Sequence, residues 1–170
     1  ARAHAAEAGY RGAMYPWQSG SDGREESQEI HLNPKSGRWV PDDTHLQRHV
    51  NCAIAYNVWK YYQTTGDLEF LRYYGAEMIL EIARFWSSIA HLSSERERYE
   101  IHGVVGPDEF HTRYPGSSEP GLRNNAYTNV TAAWVLRCAH KTLDAVGDAR
   151  AGELRERLSI SDQELEFWDD

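Results

Sequence analysis

Two Gly-Asp steps, Gly66-Asp67 and Gly147-Asp148, set the tightest limit on how this chain folds. Each stops one helical pattern and starts another. Glycine tolerates the left-handed turn that closes a helix, and aspartate caps the next one. Before the first step, Val50, Ile54, Val58, Tyr61 and Tyr62 recur at helical spacing. After it, Leu71, Tyr74, Met78, Ile79, Ile82, Trp86 and Ile89 form a stripe wide enough to face a core. A short turn between two such helices makes an antiparallel hairpin. Tyr127, Val130, Thr131, Trp134, Val135 and Cys138 carry the same period towards Gly147. A shorter helix is predicted over 148–158, and Ser161-Asp162-Gln163-Glu164 has the capping-box form for a last one. Residues 1–8 read as the end of a helix stopped by Gly9.

The opposite ends are joined differently. Residues 9–46 hold many of the Gly and Pro residues and show no sustained period. A loop of about 35 residues is either functional or disordered. Tyr10, Tyr15, Trp17 and Trp39 favour an ordered, packed one. Residues 91–125 break the pattern again, and Tyr99-Glu100-Ile101 with Gly103-Val104-Val105 is spaced for a short hairpin. Helix hairpins with tight turns at one end and long loops at the other, set in a ring, form an α/α toroid with the loops on one rim, where function sits. The expected fold is all-α: residues 1–170 form one partial domain of about five helices, roughly half a ring, with no separate second domain.

Charge and hydropathy exclude several functions. There are 26 acidic and 18 basic residues, a net charge of −8, which argues against gripping a nucleic-acid backbone or anchoring to an anionic membrane. The most apolar stretch, Ala76 to Trp86, is broken by Glu77, Glu81 and Arg84, so no transmembrane helix is expected. Cys52 and Cys138 have neither disulfide-framework nor zinc spacing, which fits a reducing, cytoplasmic compartment. Asn129-Val130-Thr131 has the form of a glycosylation sequon but falls inside a helical pattern. Phosphate-loop, dinucleotide and nucleophile-elbow motifs do not occur.

What remains points to sugar chemistry. Six Trp, ten Tyr and four Phe, many beside Asn, Gln, Asp, Glu or His, offer flat apolar faces next to hydrogen-bonding groups. A sugar has both kinds of surface, although an aromatic-rich core has the same composition. Asp108-Glu109 follows Gly106-Pro107 and precedes Phe110-His111. A carboxyl on a rigid loop among aromatics is partly desolvated, which raises its pKa as a general acid requires. Adjacent side chains point apart, so one of the two is expected to be the acid and the other a hydrogen-bonding partner. The competing reading is an exposed acidic turn.

In Tyr15-Pro16-Trp17-Gln18-Ser19, Trp17 can stack on a sugar ring and Gln18 can bond its hydroxyls. Otherwise the segment is a loop pinned by a buried Trp, followed by surface acids Glu25 and Glu26. His111 either contacts substrate or braces the Glu109 loop. Asn125, in the asparagine cluster 124–129, either caps a helix or orients the acid. His45 and His49 are four apart, but position 46 is Leu46, not the Glu of a zinc HExxH motif, and no metal is expected.

Taken in order, these segments resemble glycoside hydrolase family 65, which includes the maltose, trehalose and kojibiose phosphorylases. The resemblance rests on Tyr15-Pro16-Trp17-Gln18-Ser19, the Gly-Arg-Glu-Glu run at 23–26, Asn51-Cys52-Ala53-Ile54-Ala55-Tyr56, Gly75-Ala76-Glu77, and Ala83-Arg84-Phe85-Trp86. Gly106-Pro107-Asp108-Glu109-Phe110-His111 and Asn124-Asn125-Ala126-Tyr127-Thr128-Asn129 complete it. It implies an (α/α)6 barrel, with Glu109 as general acid and Trp17 lining the glucose pocket beside Gln18.

The implied reaction is inverting phosphorolysis of an α-glucosidic disaccharide to β-glucose 1-phosphate. Inorganic phosphate is the co-substrate, no cofactor is needed, and the family suggests a homo-oligomer. The phosphate-binding loop belongs downstream of the matched region, so this chain is expected to be a catalytic-domain fragment with apolar helix faces left uncovered. Two alternatives stand beside this reading. One is an inverting α-glucoside hydrolase, with a second carboxylate roughly 6.5–9.5 Å from the acid. The other is a sugar-binding helical fragment without chemistry.

Overall fold

The computed structural model describes residues 1–108 and 111–169. Helix α1 (Arg2–Glu7) leads into the first long loop, which carries an antiparallel hairpin of β1 (Ile30–Asn33) and β2 (Arg38–Pro41) and a 3-10 turn, Thr44–Leu46. Helix α2 (Val50–Thr65) closes on Gly66, whose φ of 70° lets its N–H reach Tyr62 O at 2.8 Å. Asp67 Oδ1 accepts from Phe70 N at 2.9 Å and caps α3 (Leu68–Phe70). This short helix runs through a π turn, Leu71–Gly75, into α4 (Ala76–Ile89). The expected single stripe over 68–89 is therefore one continuous helical run with a widened turn.

Helix α4 is the centre of the fold. Ile79, Leu80, Ile82, Ala83, Phe85 and Trp86 are all buried, because α2 and α5 (Ala126–Val146) pack against it from different sides. From α5, Ala132, Val135, Cys138, Ala139, Leu143 and Val146 complete the core. Gly147 ends α5 and precedes α6 (Asp148–Leu158). Ser161 Oγ accepts from Glu164 N at 3.1 Å and caps α7 (Asp162–Asp169). The Glu164 side chain, expected to reach back in a capping box, instead accepts two hydrogen bonds from Arg84, from Nε at 2.8 Å and from Nη2 at 3.0 Å.

Two expectations need correction. The fold is mostly helical but not all-α, since the described residues include three two-stranded sheets. The pairing expected between 99–101 and 103–105 does not form. One intervening residue is too short for a hairpin loop. Instead β4 (Arg98–Glu100) folds back on β3 (His91–Ser93), while β5 (His102–Val104) pairs with the distant β6 (Leu122–Arg123). Asn124 joins the two sheets. Its Oδ1 accepts from Ile101 N at 3.1 Å, and its own N–H donates to Ile101 O at 2.8 Å. Cys52 and Cys138 are both buried free thiols. Among the described residues, no helix is long and apolar enough to cross a membrane.

Candidate active site

The first long loop lies tightly along α4. A Cβ on Gly12 (φ +72°) would sit 2.2 Å from Glu81 O, and Ala13 N donates to that same carbonyl at 2.9 Å. Only glycine permits this approach. Two residues on, the buried Asn51 of α2 takes hold of the chain: Asn51 Oδ1 accepts from Tyr15 N at 2.7 Å and Asn51 Nδ2 donates to Tyr15 O at 3.4 Å. Trp17 is thereby aimed from a fixed base.

Glu25 holds the other side of the turn. Its carboxylate accepts from Trp17 N (2.8 Å), Gln18 N (3.1 Å), Ser27 N (3.2 Å) and Ser27 Oγ (2.7 Å). Burial pushes the Glu25 carboxyl up, but these bonds outweigh it and leave its pKa below the usual value. In the competing reading of this segment Glu25 is a surface acid; in the structure it is a buttress of the Trp17 turn.

Trp17 and Gln18 border a pocket of about 300 Å³ that also takes in Gln28, His31, Asp42 and Asp43. Asp42 is buried. Oδ1 accepts from Thr44 N at 2.9 Å; Oδ2 meets Gln28 Nε2 at 2.8 Å and His31 Nδ1 at 3.1 Å. Burial alone raises this carboxyl, but the bonds from Thr44, Gln28 and His31 dominate and bring it down to about 2. Asp43 is buried too and pairs with Arg113 Nη2 at 3.0 Å, drawing the second long loop against the pocket. Val105 N donates to Leu46 O at 2.9 Å and fixes the strand that feeds that loop.

Behind Trp17 stands His49, 5.4 Å ring to ring, with Tyr127 edge-on at 5.6 Å on its far side. Burial holds the His49 imidazole below its usual pKa, against a hydrogen bond at the Val105 backbone that opposes it. The ring Trp17 meets is therefore uncharged at neutral pH. His49 is an aromatic brace at the head of α2.

The structure brings together several of the expected residues. Trp17 and Gln18 share the pocket. Asn125 caps α5, with Oδ1 accepting from Thr128 N at 3.1 Å, and its amide packs on Gly106. Asp108 and His111 are exposed on the second loop, where His111 N donates to Asp108 O at 3.0 Å. Glu109, the expected general acid, lies outside the described residues, as does Phe110.

Sequence reasoning missed Gln28, His31, Asp42, Asp43 and Thr44. Pro41-Asp42-Asp43-Thr44 reads as an ordinary start to a helix, and Asp42 does make that local bond. Its two further partners, Gln28 and His31, are what set it apart. A second group was also missed: His91, Glu100 and His102, whose ligand atoms all lie within 4.8 Å of one another.

The sequence of this chain matches the model of the glycosyl hydrolase family 65 central catalytic domain over residues 1–170. The chain belongs to glycosyl hydrolase family 65. Among the relatives of this family 65 chain, an uncharacterized glycosyl hydrolase of Mycobacterium tuberculosis is 54% identical over 170 residues, all of this chain and 13% of the relative. The trehalose 6-phosphate phosphorylase of Lactococcus lactis is 48% identical over 128 residues, covering 75% of this chain and 16% of that protein. The kojibiose phosphorylase of Caldanaerobacter subterraneus is 37% identical over 177 residues, 99% of this chain and 21% of that protein. The chain thus spans between an eighth and about a fifth of these curated relatives. A solved structure, provisionally named a kojibiose phosphorylase from the human microbiome, superposes with a TM-score of 0.78. At 22% identity, over 99% of this chain and 22% of that one, it shows a shared fold.

Proposed function

We propose that this family 65 chain is part of an (α/α)6 catalytic barrel, and that the complete protein carries out inverting phosphorolysis of an α-glucosidic disaccharide. The observation that carries this reading is the pocket bordered by Trp17 and Gln18, floored by an ionised Asp42, in a chain matched end to end by the family's catalytic domain. Several relatives are named as phosphorylases of glucosides.

In this reading Trp17 stacks on the glucose ring, and Gln18 and Asp42 bond its hydroxyls. Glu109 protonates the glycosidic oxygen as the C–O bond breaks. A phosphate oxygen attacks the anomeric carbon from the opposite face, giving β-glucose 1-phosphate. Phosphate is already a nucleophile, so neither a general base nor a cofactor is required. Asp108, His111 and Asn125 hold and orient the loop that carries the acid.

Ring closure is supported by the surface. Tyr56, Tyr127 and Val130 are exposed, and with Trp134 they line a groove of about 380 Å³ along α2 and α5. Further helices of the ring would cover it; an uncovered face of this kind also favours a homo-oligomer.

The test uses the complete protein. Trehalose, trehalose 6-phosphate, maltose and kojibiose are supplied with and without inorganic phosphate, and the products are followed by proton NMR. β-Glucose 1-phosphate formed only with phosphate is the expected result. Glucose released equally without phosphate replaces the phosphorylase with the inverting hydrolase. Sugar binding with no turnover of any substrate leaves the binding-module reading.

A further inference from the structure

We propose that His91, Glu100 and His102 bind one divalent transition-metal ion of the zinc class. The topology places the three together although the sequence separates them. His91 and Glu100 are cross-strand partners in the β3–β4 sheet. Glu100 and His102 are two residues apart along an extended chain, which puts their side chains on one face. The two imidazoles meet edge to face with centroids 4.3 Å apart, and His102 Nε2 lies 2.9 Å from Glu100 Oε2.

Two imidazoles and one carboxylate are a recurrent zinc donor set, with water in the open position. Bond lengths near 2.1 Å place tetrahedral donors about 3.4 Å apart. The three donors now fall within 4.8 Å of one another, so closing on an ion asks only for small side-chain rotations. His91 is exposed, His102 half-buried and Glu100 buried, which leaves a path for the ion from one side. The competing cation is already placed elsewhere on the carboxylate. Arg96 Nη1 bonds Glu100 Oε1 at 3.2 Å, leaving Oε2 to face the imidazoles. Outer-shell bonds of this kind orient a ligating carboxylate.

Such an ion would clamp the β3–β4 sheet to β5, the strand that runs into Val105-Gly106. Asn124, whose side chain accepts from Ile101 N between Glu100 and His102, extends the clamp to the start of α5. The site is separate from the Trp17 pocket and does not rest on the proposed reaction.

The experiment strips the complete protein with a chelator and titrates it with Zn2+ against a chromophoric competitor. Parent, His91→Ala and His102→Gln proteins are compared, with circular dichroism confirming that each is folded. His91 is exposed, so its replacement leaves the fold intact, and the amide of His102→Gln reaches the position from which Nε2 bonds Glu100. Each variant is expected to take up one equivalent of zinc fewer than the parent, and zinc is expected to raise the Tm of the parent alone. Zinc uptake equal to the parent's in either folded variant overturns the proposal, as does a parent that takes up no zinc.

Discussion

Gly106 lies directly beneath the side-chain amide of Asn125: a Cβ at position 106 would come within 2.7 Å of Asn125 Nδ2. Asn125 is not free to retreat, because its Oδ1 caps α5 through Thr128 N and Thr128 Oγ1, at 3.1 and 3.2 Å. The loop leading to Glu109 and the first turn of α5 are therefore seated on each other. Gly106→Ala should displace one or the other. The expected cost is about 1 kcal/mol of stability, the worth of an N-cap, read by urea unfolding. Turnover should fall by more than about tenfold, since small misplacements of an acid are expensive. Adding Asn125→Ser, which keeps a cap with a shorter side chain, should restore most of both losses.

Asp42 makes acid stability a readout of the pocket. Its folded pKa is about 2, against 3.8 for an ordinary Asp. A depressed pKa means the charged form is the one the fold stabilises. The contribution is fully present above about pH 4 and drains away as pH falls towards 2. The gap is worth about 2 kcal/mol. Asp42→Asn should lose that much at pH 7 and differ little from the parent near pH 2. Paired denaturant melts at the two pH values check it.

How much of this was legible depends on range. The helices α2, α4 and α5 announce themselves because a 3.6-residue period persists over four or more turns, and Gly66-Asp67 marks the break between two of them. The strands do not, because runs of two to four residues are too short for alternation to register, and β5 finds its partner some twenty residues away. Trp17 and Gln18 stand out as an aromatic and an amide in a loop rich in Gly and Pro. Asp42 stays hidden because its local bond to Thr44 N is what any aspartate before a helical turn makes, whereas Gln28 and His31 reach it only through the β1–β2 hairpin. His91 joins Glu100 and His102 through strand pairing alone.

Arg84 ties α4 to α7 and should be the most sensitive charged residue of the fold. Its guanidinium bonds Glu164 twice and Glu81 once, and its side chain is only 14% exposed. Removing it leaves two carboxylates, 6% and 10% exposed, with Arg2 as remaining partner for Glu81 and Arg11 only at 4.0 Å from Glu164. Stranding buried charges costs about 3 kcal/mol or more. Arg84→Met should therefore lower the Tm by several degrees. Arg84→Met with Glu164→Gln should recover part of that loss, because the second change removes one of the stranded charges.

Substitution of Trp17 tests sugar recognition apart from acid catalysis in the proposed reaction. Its backbone is held by Glu25 and its neighbour Tyr15 by Asn51, so the loop keeps its course when the indole is removed. Trp17→Ala should thus delete a stacking face without moving the Glu109 loop, whose anchors are Val105 to Leu46 and Arg113 to Asp43. Stacking present in both the bound substrate and the transition state raises KM when lost and leaves kcat nearly unchanged. Losing an aromatic platform is worth about 1–3 kcal/mol, or roughly five- to 150-fold in kcat/KM. Glu109→Gln should do the opposite, cutting kcat by about a hundredfold or more with KM little changed, as expected for a group that acts in the transition state. Steady-state kinetics of the two variants on one disaccharide decide the matter. A Trp17→Ala protein with unaltered KM and collapsed kcat removes the indole from the sugar subsite.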